Sequence, residues 1–304
     1  MIQTILVPFD FSPSATRALR YALTLTERTG AHLHVRHIQE IPLGPLVGGE
    51  PSPMPEGQQL QQVFEDRCRD ELSEQSFPPD DRLSFSLEQS GDVAPALVQF
   101  AEKTDVDLVA MGTHGRRGVK RVFFGSTAEE VLRTAPCPVL TTRTEDEAEE
   151  GRHSPASVER LVVPVDFSKA SRGALQYAAR LSEVYEAPLA LVHVVNLPAL
   201  PAAYEIDFTD TDARAVEERA RDHLQEWGRF PEVESQIQAL VVESGDPAST
   251  ILDIASEPED LIVMATRGLS GLKRTMLGSV AENVLRRAPG PVLTGRTFGE
   301  GDGE

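Results

Sequence analysis

Short apolar runs and amphipathic stretches alternate along this chain. Ile5-Leu6-Val7-Pro8 is a compact apolar run with polar neighbours, the pattern of a strand buried on both faces. Ser12-Pro13 follows, a helix-start signal with serine at the N-cap and proline at the first helical position. Ala15, Ala18, Leu19, Ala22 and Leu25 then recur at helical spacing. Leu33 to Ile38 predicts a second strand, and residues 42–57, rich in proline and glycine, predict a loop. A helix over Leu60 to Gln75, a strand over Leu83 to Leu87, a helix from Val93 and a strand over Leu108 to Met111 come next. One more helix and the apolar strand at Pro138 to Thr141 close the series. Strand and helix in alternation predict an α/β fold on a mostly parallel sheet.

The series then repeats. Ile5-Leu6-Val7-Pro8-Phe9-Asp10-Phe11-Ser12 returns as Leu161-Val162-Val163-Pro164-Val165-Asp166-Phe167-Ser168, an offset of 156. Gly91-Asp92 returns as Gly245-Asp246, and Asp107 to Met111 as Asp260 to Met264. The longest match sets Gly112, Gly115, Gly118, Lys120, Arg121, Gly125 and Ser126 against Ala265, Gly268, Gly271, Lys273, Arg274, Gly278 and Ser279. Between the copies, Glu145-Asp146-Glu147-Ala148-Glu149-Glu150-Gly151 is a self-repelling acidic block that reads as a linker. The expected organisation is a first domain over 1–144, an acidic linker over 145–157, a second domain over 158–298 and a tail over 299–304. A unit of about 145 residues is a single-domain size.

Composition narrows the function classes. The 304 residues carry 48 acidic against 29 basic side chains, a formal net charge of −19. That charge disfavours nucleic acid and anionic membrane as bulk partners. Only four of the basic residues are lysines, a bias that fits either salt adaptation or GC-rich coding. Two cysteines, Cys68 and Cys137, exclude a disulfide framework and a cysteine zinc site and fit a reducing compartment. The first residues lack a basic leader, and no apolar run approaches the roughly 20 residues of a membrane span. A soluble cytoplasmic protein is the expectation.

The charge is unevenly spread. Residues 108–128 contain no Asp or Glu, and neither do 261–281; these are the two longest acid-free windows in the chain. The first holds Arg116, Arg117, Lys120 and Arg121, and the second Arg267, Lys273 and Arg274. Each leads into Gly-Ser before a helix, at the carboxyl end of a strand, where parallel sheets bind ligands. Free amides at a helix N-terminus attract phosphate, and glycine lets backbone come close. The serines also fit the capping-box pattern, Ser126 with Glu129 and Ser279 with Glu282, so they read equally as N-caps. The window is neither a P-loop nor a dinucleotide fingerprint. Asp10 and Asp166 are either turn residues or carboxylates for a ribose hydroxyl. His32, His34 and His37 suggest a metal cluster, but His37 faces away from the other two on an extended strand. His114 lies in the first glycine window only, and no nucleophile–histidine–acid set is common to both units.

The spacing Gly112, Gly115, Gly125-Ser126, preceded by Val7-Pro8-Phe9-Asp10 and closed by Pro138-Val139-Leu140, resembles the universal stress protein family in its tandem form. The resemblance covers nearly all of both units. It implies two Rossmann-like domains, akin to the adenine nucleotide alpha hydrolases, each with strand order 3-2-1-4-5. It also implies ATP, with Mg2+ accompanying it and no protein metal ligand identified. Asp10 and Gly112 would then hold the ribose, and the backbone of Ile38 and Val194 the adenine. Gly115, Gly125 and Ser126 would hold phosphate, as would Gly268, Gly278 and Ser279, with amides from Thr127 and Val280; Met111 joins the first site. Asp166 and Ala265 complete the second, where Ala265 replaces the first glycine. A Cβ there would crowd the ribose, or be forbidden if φ is positive. The resemblance further implies pairing of last strands, Val139–Thr142 with Val292–Gly295 inside one chain, and a homodimer of such chains. A nucleotide-responsive regulator is the leading expectation; a weak ATPase and a partner-binding protein with decayed sites are the rivals.

Overall fold

The computed structural model describes residues 2–40, 57–71, 77–113, 125–143, 156–196, 210–229, 233–266, 277–296 and 298. The chain divides into two compact units, Met1–Ala156 and Ser157–Glu304. The acidic linker block, the tail from 299 and most of the two expected loops, 42–57 and the Pro198 to Asp212 stretch of the second unit, lie outside the described residues; the ends of those loops, Gly57 and residues 210–212, are already helical.

In the first unit, β1 (Thr4–Pro8), α1 (Pro13–Thr29), β2 (His32–Glu40), α2 (Gly57–Glu71), β3 (Leu83–Ser90), α3 (Val93–Lys103), β4 (Leu108–Gly112), α4 (Ser126–Thr134) and β5 (Val139–Thr142) follow in order. The strands lie in the order β3-β2-β1-β4-β5. All four pairings are parallel, with Leu6 opposite both His34 and Val109. Ile5, Leu6 and Val7 are fully buried because helices cover both faces of the sheet, which explains an apolar run without alternation.

α1 begins and ends where local chemistry says it should. The Ser12 side chain accepts from the Ala15 amide at 3.2 Å, Pro13 opens α1, and Gly30 closes it at φ 74°, donating to Thr26 O. Ala15, Ala18, Leu19, Ala22 and Leu25 form its buried face. β2 and β3 run past their apolar cores, to Glu40 and Ser90. Gln39 pairs with Gln89 and Glu40 with Ser90, a polar rim that carries no hydrophobic signal.

The second unit repeats the plan with β6 (Arg160–Pro164), α5 (Lys169–Tyr185), β7 (Leu189–Val195), α6 (Asp210–Trp227), β8 (Ile237–Ser244), α7 (Pro247–Ile254), β9 (Asp260–Ala265), α8 (Ser279–Arg287) and β10 (Val292–Gly295). Its strand order is β8-β7-β6-β9-β10, again parallel. Each unit is therefore a Rossmann-like α/β domain of order 3-2-1-4-5. Its strand order reverses between the first and fourth strands, which here are neighbours.

Candidate functional site

The reversal point lies at the carboxyl ends of β1 and β4, where an open parallel sheet leaves a crevice. β4 ends in Gly112, and Thr113 continues it, donating its amide to Thr142 O at 3.0 Å. The chain returns twelve residues later, where the Gly125 amide donates to Thr113 O at 2.9 Å. That bond closes a neck under the glycine window and sets α4 at the end of β4. The second unit has the same neck, Gly278 N to Thr266 O at 2.8 Å.

The capping-box expectation fails here. Gly125 (φ −62°, ψ 139°), not Ser126, is the N-cap of α4, and no side chain caps the helix. Gly278 stands likewise before α8, with Ser279 as its first residue. The reason is geometric: the neck holds the glycine in extended conformation, so the serine is already helical. By contrast α1, α5 and α7 are capped by the side chains of Ser12, Ser168 and Asp246. The amides of Ser126, Thr127 and Ala128 consequently have no hydrogen-bond partner among the described residues, and the first intrahelical bond is Glu129 N to Gly125 O. Ser126 is exposed and Thr127 half-buried; Ser279 and Val280 match them. A helix end of this kind favours an anion.

Asp10 and Asp166 stand across the crevice. Each accepts the amide two residues on, Ser12 or Ser168, through Oδ1 at 3.0 Å, so the turn role is present in both units. Oδ2 of Asp10 has no partner among the described residues. A short series of contacts ties the two sides together. Asp10 holds Ser12; α1 starts there; and its first turn abuts Gly112, where a Cβ would lie 2.4 Å from Ser14 Oγ and 2.7 Å from the Ala15 amide. β1 ends at Pro8, opposite Arg36, so Ile38 continues beyond it with no β1 partner among the described residues. Val194 does the same beyond β6, which ends at Pro164 opposite Val192. Both backbones are available to a flat ligand over the strand end. Met111 is buried beneath the site, 4% exposed.

Gly112 is thus required for close packing, not for a positive φ, since the only glycines in that region among the described residues are Gly30 and Gly245. The missing Cβ at Gly112 points at the first turn of α1. The second unit differs at this point in more than one residue. Ala265 faces Gly295 across β9 and β10, whereas Gly112 faces Thr142. Phe298 fills the space over Gly295 and Gly173 and packs its ring 5.4 Å from Tyr177.

Gly115, Gly268, His114 and the arginines and lysines of the two windows lie outside the described residues. Two contributors escaped the sequence reading. Thr113 and Thr266 close the necks, and Phe11 and Phe167 follow the aspartates at φ 62° and 63°. Both pairs recur in the two units, which was the available signal.

The histidines do other work. The His37 Nδ1–H donates to Phe9 O at 2.7 Å, and the His193 Nδ1–H to Val165 O at 2.7 Å, pinning the turn after β1 and β6. The His32 and His34 rings lie 4.5 Å apart, tilted by 37°, and share Ser84 Oγ, 3.3 Å from His32 Nε2 and 2.5 Å from His34 Nδ1. Beside them Arg36 pairs with Glu88 and lies over the Phe100 ring. No group of three His, Cys, Asp or Glu side chains able to hold a metal occurs among the described residues. Burial first, then the neighbouring His32 and Arg36, lowers the His34 pKa from 6.5 to about 4. The unfolded chain therefore binds the proton more tightly than the folded one. Stability of the first unit is expected to be full above pH 6.5 and to fall as pH drops toward 4. Amide exchange of β2 and β3 at pH 7 and pH 5 checks this: the wild type should open more readily at pH 5, and His34→Gln should flatten the difference.

Comparison with known proteins places this architecture. The sequence profile of the Universal stress protein family matches residues 1–143 and 157–296. The chain is 28% identical over 235 residues to a universal stress protein of Mycobacterium tuberculosis, covering 74% of this chain and 73% of that one. It is 35% identical over 144 residues to a universal stress protein of Thermus aquaticus, covering 47% of this chain and 100% of that one. Its fold is similar to the crystal structure of a universal stress protein from Archaeoglobus fulgidus, with a TM-score of 0.63, 22% identity, and coverage of 99% and 97% of the two chains.

Proposed function

This chain belongs to the universal stress protein family, and from that premise we propose that it is a cytoplasmic, nucleotide-responsive regulator of stress tolerance that binds ATP in the crevice of each unit. One observation carries the reading: at the strand-order reversal one strand leads to a helix N-terminus without a side-chain cap and its neighbour leads to a carboxylate, twice in one chain. The residues fit the group. The amides of Ser126, Thr127 and Ala128, with the Ser126 hydroxyl, take phosphate oxygens. Oδ2 of Asp10 accepts from a ribose hydroxyl, while Oδ1 stays with Ser12. Ile38 offers backbone to the base. Asp166, Val194, Gly278, Ser279 and Val280 repeat these roles in the second unit, and the sequence adds Gly115 and Gly268 to the phosphate side.

Asymmetry follows from Ala265. The first site keeps the glycine and is the tighter of the two; the second keeps every other part. The nucleotide acts as a conformational ligand, favouring one arrangement of the segments after β2 and β7 over another. ATP supplies charge and shape for that role, and no step of bond cleavage is required.

Nucleotide analysis of acid-denatured protein tests the reading. ATP or a related adenine nucleotide is expected in the extract, and an empty protein that also fails to bind added ATP would overturn it. Phosphate release that depends on protein concentration would favour a hydrolase instead.

A further inference from the structure

Phe11 and Phe167 hold a backbone conformation that bulky L-residues avoid. They do so immediately after the site aspartates. Glycine would suit that conformation better, yet both units place a phenylalanine there. The rings must therefore provide something that glycine cannot.

Each ring is gripped from three sides. Phe11 lies edge-on to Phe9 at 4.8 Å and Phe64 at 5.8 Å, with the Arg67 guanidinium 4.1 Å over its face. The His37 ring, pinned to Phe9 O, lies 6.2 Å away. Phe167 sits between His193 at 4.5 Å and His223 at 4.2 Å, the latter nearly parallel, with Trp227 edge-on at 5.9 Å. The strand wall corresponds between units, His37 matching His193, each pinned to the carbonyl two residues before the phenylalanine, but the helix walls differ. α2 supplies Phe64 and Arg67, and α6 supplies His223 and Trp227. Two different sets of flat or cationic groups reach the same ring, as aromatic and cation–π packing allow.

We propose that Phe11 and Phe167 are positioning residues: held by α2 and α6, their rings fix the turn that aims Asp10 and Asp166 into the crevice. This rests on the nucleotide reading and extends it to regulation. The Asp10 carboxylate is held by the Ser12 amide, and Phe11 is the residue between them, so its rotation would carry the carboxylate with it. α2 and α6 follow the long segments after β2 and β7. A partner that shifts either helix changes ligand affinity without touching ligand, and bound ligand tightens the helix in return.

Three variants of the full chain separate this from a role in folding alone. Phe11→Gly keeps the conformation and removes the ring; Phe11→Tyr keeps both; Arg67→Ala removes one wall from an exposed position on α2. Amide exchange at Ser12 in ligand-free protein should quicken in F11G and stay at the wild-type rate in F11Y. ATP affinity at the first site should fall about tenfold in F11G, less in R67A, and recover in F11Y. F11G with wild-type exchange at Ser12 and wild-type affinity would overturn the proposal. If the wild type binds no ATP, the nucleotide reading fails by itself. Ser12 exchange then decides alone, with faster exchange in F11G supporting the clamp and equal rates in F11G and F11Y sinking it.

Discussion

Replacing Gly125 with aspartate is expected to abolish nucleotide binding at the first site while making α4 more stable. At φ −62° and ψ 139° the position accepts any L-residue, and an added Cβ would lie 3.3 Å from Thr113 O, a tight contact that a shift of a few tenths of an ångström relieves. Aspartate is a strong N-cap, and its carboxylate would take the amides that glycine leaves open. It would also repel phosphate at that spot. Loss of two charge-assisted bonds and added like-charge repulsion should weaken ATP binding by about 100-fold or more, near 2.8 kcal/mol. The helix gains a few tenths of a kcal/mol, because glycine is itself a fair N-cap. The opposite signs are the diagnostic feature, since a variant that simply unfolds loses both. ATP titration together with amide exchange of α4 reads them. A G125D protein that binds ATP like the wild type would remove the helix N-terminus from the site.

The second large effect concerns packing. Gly112→Ala should destabilise the first unit by roughly 1–3 kcal/mol, the usual cost of forcing a methyl into a filled space. The new Cβ would meet Ser14 Oγ at 2.4 Å and the backbone of Ser14 and Ala15 at 2.7–2.8 Å. α1 cannot recede easily, because Thr142 Oγ1 donates to Ser14 O at 2.7 Å and Ser12 caps its start. The reverse change, Ala265→Gly, should cost less, since it removes one half-buried methyl instead of forcing one against backbone. Denaturant unfolding followed by exchange in α1 and α5 separates the two units. Equal tolerance of alanine at Gly112 would contradict the packing account.

Much of the fold could be read from the chain. Ile5 to Val7 and Leu161 to Val163 are buried strands with no polar alternation, and the Ser12-Pro13 start and the Gly30 stop are local signals that the structure retains. What escaped was chemistry that depends on long-range closure. Ser126 fits a capping box on spacing alone, but the bond from Gly125 to Thr113 shifts the helix start by one residue, and no local pattern encodes that. Gly112 invited a conformational explanation, and the true constraint is the first turn of α1, at Ser14 and Ala15, far earlier in the chain. Phe11 and Phe167 were visible as repeated letters. Their φ values, and the walls from Arg67 or His223, exist only once α2 and α6 are folded onto the sheet.

Calorimetric titration of the full chain with ATP, beside G125D, tests the central claim most directly. The account predicts saturable binding in the wild type, with the tighter site at one nucleotide per chain, and the loss of that tighter site in G125D. No binding at millimolar ATP, or unchanged tight binding in G125D, would contradict it.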